Sequence, residues 1–155
     1  MIALIQRVCE ASVRVEEELV GAIGPGVLAL IGVVRGDDSA SAERLLQRIL
    51  DYRIFPDPAG RMNLSVRETG GGLLLVPQFT LAADTTRGNR AGFSTAAQPA
   101  EAIALFEHLL RQAQALHQPV AAGRFGAHMQ VALINDGPVT FWLEARPAGS
   151  AVPTV

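Results

Sequence analysis

The stretch LINDGPVTFWLEA, residues 133–145, decides how this chain is read. On either side of its centre the residues alternate like β-strands, and Asn135-Asp136-Gly137 reads as a tight hairpin turn. The next residue contradicts that reading. Pro138 removes a backbone donor just where a second strand would begin to pair.

Working outward, IALIQRV and SVRVEEELVGAI read as strands, the second as a hairpin turning in Glu16–Glu18. Gly26–Val34 is a continuous apolar run bounded by glycines, the pattern of a central strand covered on both faces. In DDSASAERLLQRILDYRIF, Ser39 or Ser41 can cap a helix whose Ala42, Leu45, Leu46 and Ile49 recur at helical spacing. Pro58 and Gly60 mark a loop. Gly70–Asp84 reads as a short buried strand running into irregular structure, and Thr85–Gln98 as a polar loop rich in arginine. Pro99 opens a second helix reaching His117, with Ile103, Phe106, Leu109, Leu110 and Ala113 as its buried stripe. MQVALI and VTFWLEA close the domain. The expected fold is mixed α/β: largely antiparallel sheets forming a barrel- or sandwich-like core, with two main helices. Residues 1–145 form one domain, followed by a flexible tail over 146–155.

The composition, 49% hydrophobic and 18% charged, suits one globular core of this length. The most apolar run, Val20–Val34, contains Pro25 and falls short of the roughly 18–20 residues of a membrane span. No export signal is visible, and Cys9 alone forms no intramolecular disulfide, so the expected location is the cytoplasm. The formal net charge of −2 provides no overall basic field for duplex binding, though it permits gripping a short single-stranded end. All 13 basic residues are arginine. The absence of lysine removes a Walker-type phosphate loop, a pyridoxal Schiff base and a catalytic lysine amine.

Cys9, His108, His117 and His128 are scattered, with no HExxH, HxH or CxxC spacing, so no metal is expected. No GxSxG elbow is present, and no glycine cluster leads directly into a helix as a dinucleotide site requires. Two unusual segments remain, VPQFTLAADTTRG around Gln78, Phe79 and Thr80, and NDGPVT. Neither contains an evident general base.

Taken in order, MIALIQRVCEASVRVE, GPGVLALIGV, YRIFPDPAGRMNLSV, PQFTLAADTTRGNRAGF and GRFGAHMQVALINDGPVTFWLEA closely resemble the D-aminoacyl-tRNA deacylases. The likeness runs from Met1 to Ala145. Pro77–Leu81 and Asn135–Thr140 correspond to the family's two signature motifs, SQFTL and NxGPVT.

The resemblance implies hydrolysis of the ester joining a D-amino acid, or glycine, to the 3′-terminal adenosine of tRNA. It implies no cofactor, no metal, no membrane, and a homodimer with its active sites at the subunit interface. The Gly137–Pro138 bond is expected to be cis and to project from one subunit into the site of the other. Two carbonyls pointing the same way would then obstruct an L side chain while leaving glycine free to pass. Backbone N–H groups near Phe79 and Thr80 would stabilise the oxyanion, and the 2′-hydroxyl of the terminal ribose would assist attack. Gln78 would bond near the substrate's α-amino group or the Gly-Pro loop, Phe79 and Phe125 would form the adenosine pocket, and Met129 and Arg7 would buttress the loop.

The sequence departs from the family pattern at Pro77, where serine is usual, and at Ala91, where proline is usual. A related branch with relaxed selectivity and a trans Gly-Pro also carries proline before Gln78, but usually alanine in place of Phe79. Phe79 and NDGPVT favour the D-specific branch. A further alternative is a non-catalytic homodimeric binder of RNA 3′ ends.

Overall fold

A computed structural model describes residues 1–149. In chain order it contains β1 (Ile2–Val15), β2 (Glu18–Ile23), β3 (Gly26–Gly32), α1 (Ser39–Asp51), β4 (Phe55–Pro56) and β5 (Met62–Leu64). These are followed by α2 (Val66–Thr69), β6 (Gly72–Pro77), a 3-10 turn over Phe79–Ala82, α3 (Pro99–Leu116), β7 (Val120–Ala122) and β8 (Met129–Glu144). The mixed α/β reading holds, with α2 as a third, short helix.

β1 organises the main sheet. Its first half pairs antiparallel with β3, its second half with β2, and β8 runs antiparallel along nearly its whole length. IALIQRV and SVRV are therefore one strand, not two. The sheet continues from β3 through β6 to β7 in parallel, so the expected antiparallel arrangement covers the β1 side and gives way beyond β3. Curling brings β2 back towards β7, and a Cβ on Gly21 would lie 2.7 Å from the Ala122 carbonyl oxygen. The result is a nearly closed barrel.

β6 is buried at every residue, as a parallel strand covered on both faces requires. Its alternation divides the core. Leu73 and Leu75 face α1 and α3, joining Leu45, Leu46, Ile49, Phe106 and Leu109. Leu74 and Val76 face the other way, with Val8, Val13, Ile23 and Leu28. Two positions of the expected α3 stripe sit at its edge: Ile103 is 37% exposed and Leu110 half-buried, whereas Ala102 is buried.

Asp38, not Ser39 or Ser41, caps α1. Its carboxylate accepts from the Ser41 N–H at 2.7 Å, while the Ser41 hydroxyl receives the Asp38 N–H at 2.9 Å. This reciprocal pair is a capping box, and Ser65 with Glu68 repeats it at α2. No described helix is long and apolar enough to cross a membrane. Of the tail, residues 146–149 are described, and the Arg146 carbonyl accepts from Arg44 Nη2. Residues 150–155, on which most of the expected flexible tail falls, lie outside the described residues.

The hairpin reading of NDG is overturned. Both flanking segments pair with β1 rather than with each other, Asn135 opposite Val8 and Thr140 opposite Gln6. Asp136, Gly137, Pro138 and Val139 thus stand where β1 has only Arg7. The strand leaves the ladder, bulges outward and returns in the same direction. Pro138 falls within that excursion, where no ladder donor is needed, and this resolves the conflict in the sequence.

Candidate active site

A cavity opens where β6 ends, at the carboxyl end of the parallel part of the sheet. Pro77 is the last paired residue, opposite Ile31. The Gln78 N–H then donates to the Ile31 carbonyl at 2.7 Å, and the chain folds over into the 3-10 turn. The first N–H groups of such a turn have no acceptor within it. Those of Phe79, which lines the cavity, and of Thr80, next to it in the chain, are in this position.

Close approach to β3 fixes this turn. A Cβ on Gly32 would meet Leu81 Cβ at 2.9 Å and the Gln78 carbonyl oxygen at 3.3 Å. Glycine at position 32 is what lets the turn sit so near the sheet.

The cavity has a volume of about 510 Å³, and its walls include Pro77, Gln78, Phe79, Phe125, His128 and Met129. Phe79 is 58% exposed and packs on Phe93 with ring centroids 5.2 Å apart. Phe125 is anchored from behind by Phe106 of α3, at 6.4 Å. Met129 Sδ accepts from the Arg124 N–H at 3.3 Å. Thr80 is not in the wall; its hydroxyl is bonded to Gln78 Nε2. Among the described residues, the only titratable side chain in the wall is His128. In the sequence His128 is an isolated histidine ahead of a strand, a pattern that gives no sign of facing a cavity.

The four candidates Gln78, Phe79, Phe125 and Met129 are therefore brought together, with Thr80 adjoining. The other candidates form a second cluster. Arg7 Nε donates to the Asp136 carbonyl at 2.9 Å and Nη1 to the Ile54 carbonyl at 2.7 Å. Asn135 Nδ2 bridges the neck of the bulge, donating to the carbonyls of Arg7 at 2.9 Å and Val139 at 3.1 Å. The bulge is thus held at both ends while its tip, Gly137 and Pro138, stays exposed. The Gly137–Pro138 peptide bond is cis, as is Gln118–Pro119, which nothing in the sequence singled out. A Cβ on Gly137 would come within 2.8 Å of Val139 Cγ2, so the tip requires glycine. Arg7 supports the bulge of its own chain, and Met129 lines the cavity.

Neither Gly137 nor Pro138 lines the cavity of its own chain. Among the described residues no three His, Cys, Asp or Glu side chains gather into a group. His108 pairs with Glu43 and His117 with the Gly71 carbonyl, and neither is among the lining residues of the cavity.

The family model described as D-Tyr-tRNA(Tyr) deacylase matches residues 4–144. The chain belongs to this family. A relative named D-aminoacyl-tRNA deacylase from Thioalkalivibrio sulfidiphilus is 69% identical over 95% of this chain and 99% of its own length. Another of the same name from Alkalilimnicola ehrlichii is 65% identical, over 97% of this chain and the whole of its own. Among solved structures, one titled c-Myc DNA Unwinding Element Binding Protein superposes with a TM-score of 0.89 at 37% identity, covering 94% of this chain and 99% of that one. A probable eukaryotic D-amino acid tRNA deacylase gives 0.77 at 17% identity, covering 92% and 98%, and supports the fold alone. The family match spans both clusters, the cavity at the end of β6 and the bulge in β8.

Proposed function

We propose that this protein hydrolyses the ester bond of D-aminoacyl-tRNA, and of mischarged glycyl-tRNA, releasing the free amino acid and tRNA. The observation that carries this reading is the cavity at the end of β6. It sets apolar aromatic walls beside the 3-10 turn that begins with the backbone N–H groups of Phe79 and Thr80, and among the described residues its wall carries no carboxylate. Aromatic walls suit the terminal adenine, and the paired donors suit the oxyanion formed when water adds to the ester carbonyl.

In the reaction a water oxygen bonds to the carbonyl carbon, the ester C–O bond breaks, and the ribose oxygen leaves with a proton. Thr80 is poorly placed to be a nucleophile, since its hydroxyl bonds to the Gln78 amide, which is not a base. The vicinal 2′-hydroxyl of the ribose fills that gap. It is adjacent to the ester in every substrate, and the protein's contribution is positioning and charge stabilisation. No metal takes part in this scheme. A tRNA ending in 2′-deoxyadenosine tests it, with turnover expected to fall sharply.

Chiral selection falls to the bulge of β8. Its tip is exposed and lies outside its own chain's cavity, while Arg7 and Asn135 fix its base. A rigid main-chain tip of this kind suits insertion into the cavity of a second copy, as in a homodimer with its active sites at the interface. There its carbonyls would meet an L side chain and admit a D side chain or glycine. The outer edge of β8 beside the bulge carries Leu133 and Ile134, 37% and 54% exposed, an apolar surface suited to such an interface. Arg7, Gln78 and Met129 would hold the tip and the α-amino group in place. The cytoplasm, where tRNA is charged, is the expected location.

Comparing deacylation of D-tyrosyl-tRNA and L-tyrosyl-tRNA by purified protein tests the whole reading. Cleavage of the D ester alone supports it. Appreciable cleavage of L-alanyl-tRNA would favour the relaxed-specificity alternative, to which Pro77 points. A protein that binds the 3′ end and cleaves nothing would be the non-catalytic binder.

A further inference from the structure

Beside the cavity, the segment from Asp84 to Gly92 leaves the body of the protein as a small closed excursion. Asp84 and Gly92 exchange both backbone hydrogen bonds, at 2.8 and 2.9 Å. The returning chain is tied down at Arg35 N–H to the Thr95 carbonyl, 2.9 Å, and Ala97 N–H to the Val33 carbonyl, 3.1 Å. Between Thr85 and Ala100 the only charged residues are Arg87 and Arg90. Both are exposed, and neither has a carboxylate partner among the ion pairs of the described residues. The nearest acid in sequence, Asp84, is turned onto its own loop, where it accepts from the Thr86 N–H at 3.0 Å and hydroxyl at 2.7 Å.

The excursion ends at Phe93, which is 43% exposed and packs on Phe79 of the cavity wall. Two exposed rings in contact form an aromatic step beside the cavity, and the loop that ends at the second ring carries two exposed guanidinium groups with no carboxylate partner among the described residues. Soluble proteins rarely leave such a combination open to water without a use for it. Stacking faces followed by arginines are how proteins grip single-stranded nucleic acid, the rings taking bases and the cations taking phosphates. The chain's net charge of −2 makes this local basic segment more telling, since no general field accounts for it.

We propose that Phe93, Arg87 and Arg90 bind the unpaired nucleotides immediately upstream of the terminal adenosine of the RNA substrate. The inference rests on the hydrolase reading above and adds which part of the substrate lies outside the cavity. Phe93 stacks on one base, and the two arginines contact the adjoining phosphates.

Two substrates separate this role from the chemistry: D-tyrosyl-tRNA, and D-tyrosyl-adenosine, which has no upstream nucleotides. F93L keeps an apolar contact with Phe79 but removes the stacking face. It should lower kcat/KM for D-tyrosyl-tRNA about tenfold, through KM, and leave the adenosine ester unchanged. R87Q with R90Q should also raise KM for the tRNA only. It should flatten the dependence of log KM on log salt by about 1.4, at ~0.7 per lost phosphate contact on a single strand. Equal losses on both esters would overturn the proposal, because the loop would then act only by supporting Phe79. Unchanged KM and salt dependence for the tRNA would overturn it too. Wild-type protein that cleaves neither ester removes the hydrolase reading and this inference with it.

Discussion

Arg7 and Asp136 meet through main chain and side chain at once. Arg7 Nε lies 2.9 Å from the Asp136 carbonyl oxygen and 3.2 Å from its carboxylate. The arginine side chain is 13% exposed, and its other arm donates to the Ile54 carbonyl. One guanidinium thus ties the bulge of β8 to the segment after α1. Truncation to alanine leaves two carbonyls without their donor and should cost about 2 kcal/mol of stability. It should also weaken rejection of L-tyrosyl-tRNA about tenfold, because a loose tip discriminates poorly. R7K retains the charge but not the fork and should recover only part of either loss. Thermal unfolding and the ratio of D to L turnover check the two effects separately.

Gly32 is the second position where geometry sets activity. An added methyl group would press on Leu81 Cβ and the Gln78 carbonyl, pushing the 3-10 turn away from β3. G32A should remain folded and lose about 10- to 100-fold in kcat, the usual consequence of misplacing catalytic groups by a fraction of an ångström to an ångström. Circular dichroism and single-turnover rates distinguish a shifted turn from a collapsed fold.

Removing the Thr80 hydroxyl tests the assignment of roles within that turn. T80A keeps the backbone N–H and loses only the bond to Gln78 Nε2. Turnover should stay within about fivefold of wild type, since no base is positioned to activate the hydroxyl. A loss of about 10³ or more would indicate a nucleophilic threonine.

Acid stability should follow the capping boxes. The Asp38 carboxyl is held below its ordinary 3.8 by the Ser41 N–H and then the Ser41 hydroxyl. Glu68 is held below 4.5 by the Ser65 N–H and hydroxyl in the same way. A folded-state pKa below the unfolded value means that the unfolded chain binds more protons over the interval between them. The stabilisation is therefore complete above the unfolded values of 3.8 and 4.5. It is lost as pH falls through the lowered folded values. Tm measured against pH should fall below this point, and the fall should be shallower in D38N, which keeps an acceptor at the cap but cannot titrate.

How much of this was legible beforehand depended on how local the signal was. β3 is an apolar run bounded by glycines, β6 is an apolar run that follows three glycines, and α1 and α3 are periodic, so each declared itself. Ser65-Val66-Arg67-Glu68 carries the spacing of a capping box, and α2 could have been read from it. The continuity of β1 and β8 could not. Alternation looks the same whether a strand breaks or keeps pairing with one long neighbour, so Asn135–Gly137 imitated a hairpin. At the site, the cavity wall was legible through the resemblance carried by Gln78, Phe79, Phe125 and Met129. His128 and Gly32 gave no local sign: His128 reaches the cavity wall and Gly32 meets Leu81 and the Gln78 carbonyl only once the chain is folded.

Cleavage of an aminoacyl ester with selection by handedness is the activity proposed for this site. The most direct measurement is the initial rate of deacylation of D-tyrosyl-tRNA and L-tyrosyl-tRNA, side by side, with purified protein and a buffer control. Rapid loss of the D ester, with the L ester decaying no faster than in buffer, is the predicted result. Equal cleavage of both esters, or of neither, would contradict the account.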